Sequence, residues 1–135
     1  MLRGMATVSY WADDVVAAKD WYTELLGVDA YFVRPVSGPP AYVEFRIGDH
    51  SHELGLIDRR WAPPGTTTDV GGTVLYWHVD DVAAALERLK AMGAKEHEPL
   101  TERGDSGFVT ASVIDPFGNV LGVMYNPHYV SMLGD

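Results

Sequence analysis

Hydrophobic and polar residues follow two different periods along this chain. In residues 6–12 and 73–79 they alternate, and β-branched and aromatic residues are frequent, so both segments are predicted strands. In residues 14–26 and 81–92 the apolar residues recur every three or four positions, which is typical of a helix that packs by one face. The pattern therefore predicts a strand followed by a helix, twice.

The two strand–helix segments are copies of each other at an offset of 67 residues. Asp13-Asp14-Val15 matches Asp80-Asp81-Val82, and Leu54-Gly55-Leu56 matches Leu121-Gly122-Val123 at the same offset. The paired aspartates are predicted to cap the helix N-termini, where their charge is also favourable. One offset that holds over about forty residues indicates a duplicated module.

Three further strands follow the helix in each module. They are predicted near 29–34, 41–47 and 52–58 in the first module, and near 94–99, 107–114 and 119–125 in the second. The fold class is therefore α+β, with two βαβββ modules. We expect one domain over residues 1–135, with modules at about 5–58 and 73–126, a linker at about 59–72 and a tail at 127–135.

Each predicted sheet has an apolar face and a mixed face, because strand side chains alternate. The apolar face suits the helix, and a mixed face with large aromatic residues suits a ligand site. A solvated sheet face is the alternative, although Trp11, Tyr76 and Met124 exposed together would form a costly apolar patch. The predicted ligand-binding residues, including Phe108 from a loop, are Thr7, Ser9, Trp11, Glu53, Gly55, Tyr76, His78, Phe108, Gly122 and Met124. Trp61 is a further loop candidate, whereas Tyr10, Trp21, Tyr22 and Trp77 are predicted core residues.

Composition narrows the possible partners. The chain has no cysteine, which excludes disulfides, thiolate catalysis and cysteine metal sites, and a cytoplasmic location is the simplest interpretation. The net charge of −9 argues against nucleic acid and against anionic membranes. No apolar run is long enough to cross a membrane. We expect a small-molecule ligand, and an acidic surface with aromatic faces favours a cation.

Three segments carry a resemblance to a known family. They are DWYTELLGV at 20–28, DDVAAALERLKAMGA at 80–94 and DPFGNVLGVMYNP at 115–127. Together with the repeat they resemble the vicinal oxygen chelate superfamily, which includes glyoxalases, bleomycin-resistance proteins and dioxygenases. The resemblance implies that the two modules form a curled mixed sheet around a cup, and that the chain forms a homodimer.

Enzymes of this family usually hold one divalent metal, with His, Gln or Glu ligands from four strands. The resemblance places these positions on Thr7, Gly55, Gly122 and Val74, or on Thr73 if the register slips by one. None of these side chains is a good metal ligand, so we expect no cofactor, with a divalent metal as the alternative. Gly55 and Gly122 are expected to open space at the floor of the cup or to help the strands curl.

Three functions remain open at this point. The first is a metal-free binding protein of the bleomycin-resistance type, which holds an aromatic or cationic compound. The second is an enzyme (a lyase, dioxygenase or isomerase) that uses a non-standard metal site or an acid–base pair of His78 and Glu53. The third is a protein-interaction module in which the cup is filled by its own side chains.

Overall fold

The computed structural model describes residues 1–134, so Asp135 at the end of the predicted tail lies outside the described residues. The chain divides into two compact units, Met1–Thr67 and Thr68–Asp135. Unit 1 and unit 2 are described separately below. Each contains one βαβββ sequence of elements, as the repeat predicts.

Unit 1 is a four-stranded sheet with a helix on one face. Its sheet order is β1-β4-β3-β2, in which β1 runs parallel to β4 and the other neighbours are antiparallel. The elements are β1 (Thr7–Ala12), α1 (Val15–Leu26), β2 (Phe32–Arg34), β3 (Tyr42–Ile47), β4 (His52–Asp58) and a short 3-10 helix (Arg59–Trp61).

Unit 2 repeats this topology. Its sheet order is β5-β8-β7-β6, with β5 parallel to β8 and the other neighbours antiparallel. The elements are β5 (Leu75–His78), α2 (Val82–Ala91), β6 (Lys95–Arg103), β7 (Phe108–Ile114), β8 (Val120–Tyr125) and α3 (Pro127–Met132). Two mixed sheets with one βαβββ order confirm the predicted fold class.

The two long helices begin in the same way. The Asp14 carboxylate accepts a hydrogen bond from the Ala17 amide, and the Asp81 carboxylate accepts one from the Ala84 amide, each at 3.0 Å. Gly27 ends α1 in the left-handed conformation, with φ at 70°, which a glycine adopts without strain. The predicted aspartate caps are therefore confirmed.

The buried core lies on the helix face of each sheet. Tyr10 and Tyr22 are buried in unit 1 as predicted, whereas Trp21 and Trp77 are only half-buried. The other large buried side chains are Val43, Phe45, Leu54 and Leu56 in unit 1, and Leu86, Leu89, Val113, Leu121 and Val123 in unit 2. Alternation along the strands then leaves the opposite face of each sheet to polar and aromatic residues.

Three element boundaries differ from the prediction. Strand β2 is confined to Phe32–Arg34, and β6 continues to Arg103 because its edge position tolerates Pro99 within the strand. The pairing of β6 with β7 shifts register between Glu96 and Glu98 and again between Glu98 and Thr101. The predicted tail contains α3, because Asn126 caps a helix whose first residue is proline.

The helices of the described residues are all short. None in residues 1–134 is long and apolar enough to cross a membrane.

Candidate functional site

The polar face of the unit 1 sheet carries the residues that alternation predicts. Parallel pairing sets Thr7 beside Glu53 and Ser9 beside Gly55. Antiparallel pairing adds strand β3, in which Glu44 lies opposite Gly55 and Arg46 lies opposite Glu53. Side chains of paired residues point to the same face of a sheet. Two glutamates and one arginine are therefore neighbours on this face.

A tyrosine hydroxyl joins the two glutamates. The Tyr31 hydroxyl is within hydrogen-bond distance of Glu44 Oε1 and lies 2.5 Å from Glu53 Oε2. The Tyr42 hydroxyl donates to the other oxygen of Glu44. A phenol has one hydrogen, so Tyr31 cannot donate to both carboxylates at once. Glu44 and Glu53 therefore behave as one coupled acidic pair, called the glutamate pair below.

Hydrogen bonds among these side chains shift the pKa values of Glu44, Tyr31 and Tyr42. Burial acts to raise the pKa of Glu44, but hydrogen bonds with Glu53, Tyr31 and Tyr42 outweigh it, so the pKa is lowered. Hydrogen bonds to Glu44 and then Glu53 raise the pKa of Tyr31 to about 12. Burial, followed by the bond to Glu44, raises the pKa of Tyr42. Both phenols are therefore donors at neutral pH, and the cluster carries negative charge.

Aromatic rings on this side of the unit already bind cationic groups. The guanidinium carbon of Arg46 lies 4.1 Å from the Tyr31 ring centroid, and that of Arg34 lies 4.0 Å from the Phe32 centroid. Such distances are typical of cation–π contacts. The Phe32 and Tyr42 rings meet edge to face with centroids 6.0 Å apart. Negative charge beside aromatic faces is the arrangement that attracts an organic cation.

The two glycines of the repeat are covered by tyrosine rings. A Cβ added at Gly55 would lie 3.0 Å from the Tyr42 ring and 3.1 Å from Ser9 Oγ. A Cβ added at Gly122 would lie 2.6 Å from the Tyr76 ring and 2.9 Å from the Leu75 carbonyl oxygen. The expectation of open space at these glycines is therefore wrong. Each glycine instead admits an aromatic ring from a neighbouring strand.

The residues at the family's metal positions do not fit a divalent metal. Gly55 and Gly122 have no ligand atom, and the space at each is taken by a tyrosine ring. Thr7 is an exposed hydroxyl residue at the start of β1, and Val74 is apolar. Across residues 1–134 there is no group of three or more His, Cys, Asp or Glu side chains placed to hold a metal ion.

The polar face of the unit 2 sheet has a different composition. Tyr76 pairs with Gly122 and Gly122 with Ser112, so these residues form one row across three strands. The next row contains His78, Met124 and Thr110. Phe108 lies in a strand and not in a loop as predicted, because it begins β7 and pairs with Arg103 of β6. The predicted site residues of unit 2 thus share one face, together with three residues that the sequence analysis missed, Arg103, Thr110 and Ser112.

His78 is held at the end of β5. Its Nδ1 accepts a hydrogen bond from the Asn126 amide at 3.1 Å, and its ring stacks on Tyr129 with centroids 4.7 Å apart. Nε2 lies 3.7 Å from Asp80 Oδ1, which is too long for a hydrogen bond, and is buried without a partner. The contacts of His78 are thus with Asn126 and Tyr129, at the start of α3 and within it, whereas Glu53 contacts Tyr31.

The two predicted tryptophans differ in their surroundings. Trp11 is half-buried on the same face as Thr7 and Ser9, but it pairs with Ile57, at the end of β1 remote from Glu53. Trp61 lies in the 3-10 helix and is 68% exposed. The rings beside the glutamate pair are those of Tyr31 and Tyr42, which were not predicted as site residues.

A signal for part of the glutamate pair was present in the sequence. In YVEFRI, the residues of β3, alternation sets Tyr42, Glu44 and Arg46 on one face and Val43, Phe45 and Ile47 on the other. Tyr31 precedes β2 in a bend, so alternation along a strand could not orient its side chain.

A surface depression of about 470 Å³ lies beside α1, and neither glutamate of the pair lines it. It is open to solvent, and several charged side chains surround it. Its lining consists of Lys19, Asp20, Thr23, Glu24, Asp29, Ala30 and Val33. A ligand pocket is usually enclosed and largely apolar, so we place the candidate site on the sheet faces and not here.

The profile of one protein family matches residues 4–123, which includes the first βαβββ unit and the second as far as the middle of β8. The chain belongs to the glyoxalase/bleomycin resistance protein/dioxygenase superfamily. This family assignment agrees with the resemblance carried by the repeat and by the DPFG segment. No curated protein matches the sequence.

Solved structures support the fold of this superfamily member. A glyoxalase-related enzyme from Fulvimarina pelagi aligns with a TM-score of 0.72 and 22% identity, over 93% of this chain and 90% of that one. A lactoylglutathione lyase from Agrobacterium tumefaciens aligns with a TM-score of 0.69 and 21% identity, over 96% and 98%. TioX from Micromonospora aligns with a TM-score of 0.67 and 20% identity, over 90% and 98%. At these identities the likeness concerns the fold alone.

Proposed function

We propose that this superfamily member is a metal-free binding protein for a small aromatic cation. The observation that carries the proposal is the glutamate pair, in which the Tyr31 hydroxyl bridges two carboxylates on the polar face of the unit 1 sheet. A cation with N–H donors would replace the phenol contacts with hydrogen bonds in which both donor and acceptor are charged. The Tyr31 and Tyr42 rings would supply the aromatic surface.

One feature of unit 1 and one of the whole chain support a cation over a neutral ligand. The charge of Arg46 helps to lower the pKa of Glu44, but Arg46 stacks on the Tyr31 ring and makes no salt bridge to Glu44 or Glu53 among the described residues, so one cation faces two glutamates. The net charge of −9 would further attract cations from solution. Trp11, on the same face, remains a predicted stacking surface for the ring of the ligand.

Calorimetric titration with three probes of one shape tests this proposal. Benzamidinium is a planar cation, benzamide is its neutral analogue and benzoate is the anion. We expect benzamidinium to bind at least about tenfold more tightly than benzamide, because only the cation adds a charge–charge attraction to its hydrogen bonds with the glutamates. Equal affinity for benzamidinium and benzamide would exclude a cation site.

Variants then locate the binding. Glu53→Gln and Glu44→Gln keep the side-chain shape and remove one negative charge, so each should weaken benzamidinium binding by about tenfold. Glu96→Gln is the matched control, since Glu96 is an exposed residue of β6 in unit 2. If the control weakens binding as much as Glu53→Gln does, the cation responds to net charge and the glutamate pair is not its site.

Treatment with a chelator tests the proposal that the protein is metal-free. Treatment with a chelator should leave the melting temperature unchanged, because a metal stabilises a protein only when it binds the folded state. Metal analysis of the purified chain should find much less than one equivalent. A stoichiometric metal, or a melting temperature lowered by the chelator, would contradict the metal-free proposal.

We also propose that the protein acts in the cytoplasm as a homodimer. The absence of cysteine fits a reducing compartment. Light scattering at micromolar concentration should give the mass of two chains. The mass of one chain, 14.8 kDa, would contradict the dimer.

A further inference from the structure

We infer that the polar face of unit 2 binds a carboxylate group through Arg103, Thr110 and Ser112. These residues take no part in the cation site proposed for unit 1, and the inference rests on their own contacts. They form a group of hydrogen-bond donors on strands β6 and β7, called the donor group below. A carboxylate oxygen is the acceptor that such a group would bind most strongly.

Strand pairing brings the donor group together. Thr110 and Ser112 are two residues apart on β7, so their side chains point to the same face of the sheet. Thr110 pairs with Thr101, and Arg103 lies two residues further along β6, on the same face. The Arg103 side chain reaches back to Thr110, where its Nε donates to Oγ1 at 3.0 Å.

Arg103 retains most of its hydrogen-bonding capacity. Nε donates to Thr110, and Nη2 donates to Glu98 Oε2 at 3.3 Å. A guanidinium group has five N–H donors, so three have no partner within residues 1–134. The side chain is 50% exposed, and its planar fork matches the two oxygens of a carboxylate.

Thr110 and Ser112 continue the donor group into the buried part of the face. Thr110 Oγ1 accepts from Arg103, which leaves the hydroxyl hydrogen of Thr110 for another acceptor. Ser112 is 1% exposed, and its hydroxyl has no hydrogen-bond partner in the described structure. A buried hydroxyl without a partner is costly, and a bound ligand would remove that cost.

Ligand access to Ser112 depends on Tyr76. Ser112 pairs with Gly122, and the Tyr76 ring lies against Gly122. A ligand oxygen would meet Arg103 first, at the exposed end, and would reach Ser112 only after the Tyr76 ring moved. The ring of Phe108, which pairs with Arg103, offers an apolar neighbour for the rest of the ligand. An aromatic carboxylate is therefore the class of ligand that fits this face.

Glu98 limits the charge that the donor group can accept. It lies on the same face, opposite Ser112, and contacts Arg103 with both side chains about half exposed. An exposed ion pair of this kind is weak, so a carboxylate ligand can replace it. A dianion such as phosphate would be repelled more strongly by Glu98 and has no second cationic residue in the donor group. The chemistry therefore favours a monoanion.

Calorimetric titration of the full chain with benzoate, acetate and inorganic phosphate tests the inference. Benzoate should bind most tightly, because it adds an aromatic ring to the carboxylate. Arg103→Gln should weaken benzoate binding by about tenfold or more, through loss of charge-assisted bonds. Ser112→Ala should weaken it by about threefold to tenfold and leave the free protein at least as stable, because it removes an unpaired hydroxyl.

Arg88→Gln is the matched control. Arg88 lies on α2 of the same unit and is exposed, so its removal changes the net charge equally without touching the donor group. Benzoate affinity should be unchanged in this control and also in Glu53→Gln, which tests the cation site of unit 1. If the wild-type chain bound benzoate but not benzamidinium, the proposed function alone would be overturned.

Three results would overturn the carboxylate site itself. The first is the absence of benzoate binding to the wild-type chain. The second is an equal loss in Arg103→Gln and Arg88→Gln, since that would be an effect of net charge. The third is phosphate binding more tightly than benzoate, which would show that the donor group selects a different anion.

Discussion

The two units share one topology but carry opposite chemistry on their polar faces. In unit 1, Glu44 and Glu53 are hydrogen-bond acceptors grouped around Tyr31. In unit 2, the donor group of Arg103, Thr110 and Ser112 takes the equivalent side of the sheet. The strand order and the helix caps repeat, while the residues that could contact a ligand do not. Duplication of this module therefore preserved the fold and left the chemistry of each face free to change.

The glycines show the same contrast in finer detail. Gly55 and Gly122 are equivalent in the repeat, and each lies under a tyrosine ring. In unit 1 the nearest atoms belong to the side chains of Tyr42 and Ser9, which can rotate. In unit 2 they include the carbonyl oxygen of Leu75, which is fixed in the strand. Equivalent positions thus tolerate change to different degrees.

The largest expected effect is on stability at these glycines. Gly122→Ala should lower the free energy of unfolding by about 3 kcal/mol, because the new methyl group overlaps both a ring and a backbone atom. Gly55→Ala should lower it by only about 1 kcal/mol, because side chains alone must shift. Urea denaturation of both variants measures the difference. Equal losses would show that the backbone of unit 2 adjusts as readily as the side chains of unit 1.

A smaller loss of stability is expected at the N-terminal caps of α1 and α2, which have the same geometry in both units. Asp14→Ala and Asp81→Ala each remove a helix cap with the same 3.0 Å geometry, so each should cost about 1 kcal/mol. The same denaturation experiment applies, with Asp20→Ala as a control that changes an exposed aspartate inside α1. A cost that differed strongly between the two caps would show that the helices are not equivalent in energy.

The smallest effect concerns the ionisation of Tyr31. Its folded-state pKa of about 12 lies above the ordinary value of 10.0, so its hydrogen bonds stabilise the fold below pH 10. This contribution is lost as the pH rises from about 10 to about 12. Ultraviolet titration of wild type minus Tyr31→Phe should isolate a tyrosine with this raised pKa. In Glu44→Gln the pKa of Tyr31 should fall towards 10.0; an unchanged value would argue against the bond to Glu44.

Much of the fold could be predicted because each signal was local. The cap at Asp14 and the alternation in β1 depend on residues only a few positions apart, and both recur in the second copy at Asp81 and in β5. The sequence predicts a tail where α3 lies, because Asn126-Pro127 can stop a strand as well as start a helix. Element boundaries at β2 and β6 depended on pairing with β3 and β7, which a single strand does not reveal.

The candidate site was less predictable, because it depends on contacts between strands. Alternation correctly set Ser9, Gly55 and Gly122 on the polar faces, but it could not show that tyrosine rings cover both glycines. Whether a ring covers each glycine depends on the size of the Tyr42 and Tyr76 side chains and on the register of their strands. Likewise, the charge of Glu53 predicts a site residue. Its coupling to Glu44 depends on the side chain of Tyr31, which lies between the two carboxylates in the fold.

Strand β6 has a consequence for how copies of this chain can associate. It forms an edge of the unit 2 sheet, where an unpaired row of amide and carbonyl groups could recruit a strand from another molecule. Pro99 removes one donor, the register shifts around Glu98 distort the row, and the sequence KEHEPLTER adds charge of both signs. This edge therefore resists extension into an intermolecular sheet and protects the protein against fibre-like aggregation. A dimer of this chain is therefore not expected to form by strand pairing through β6.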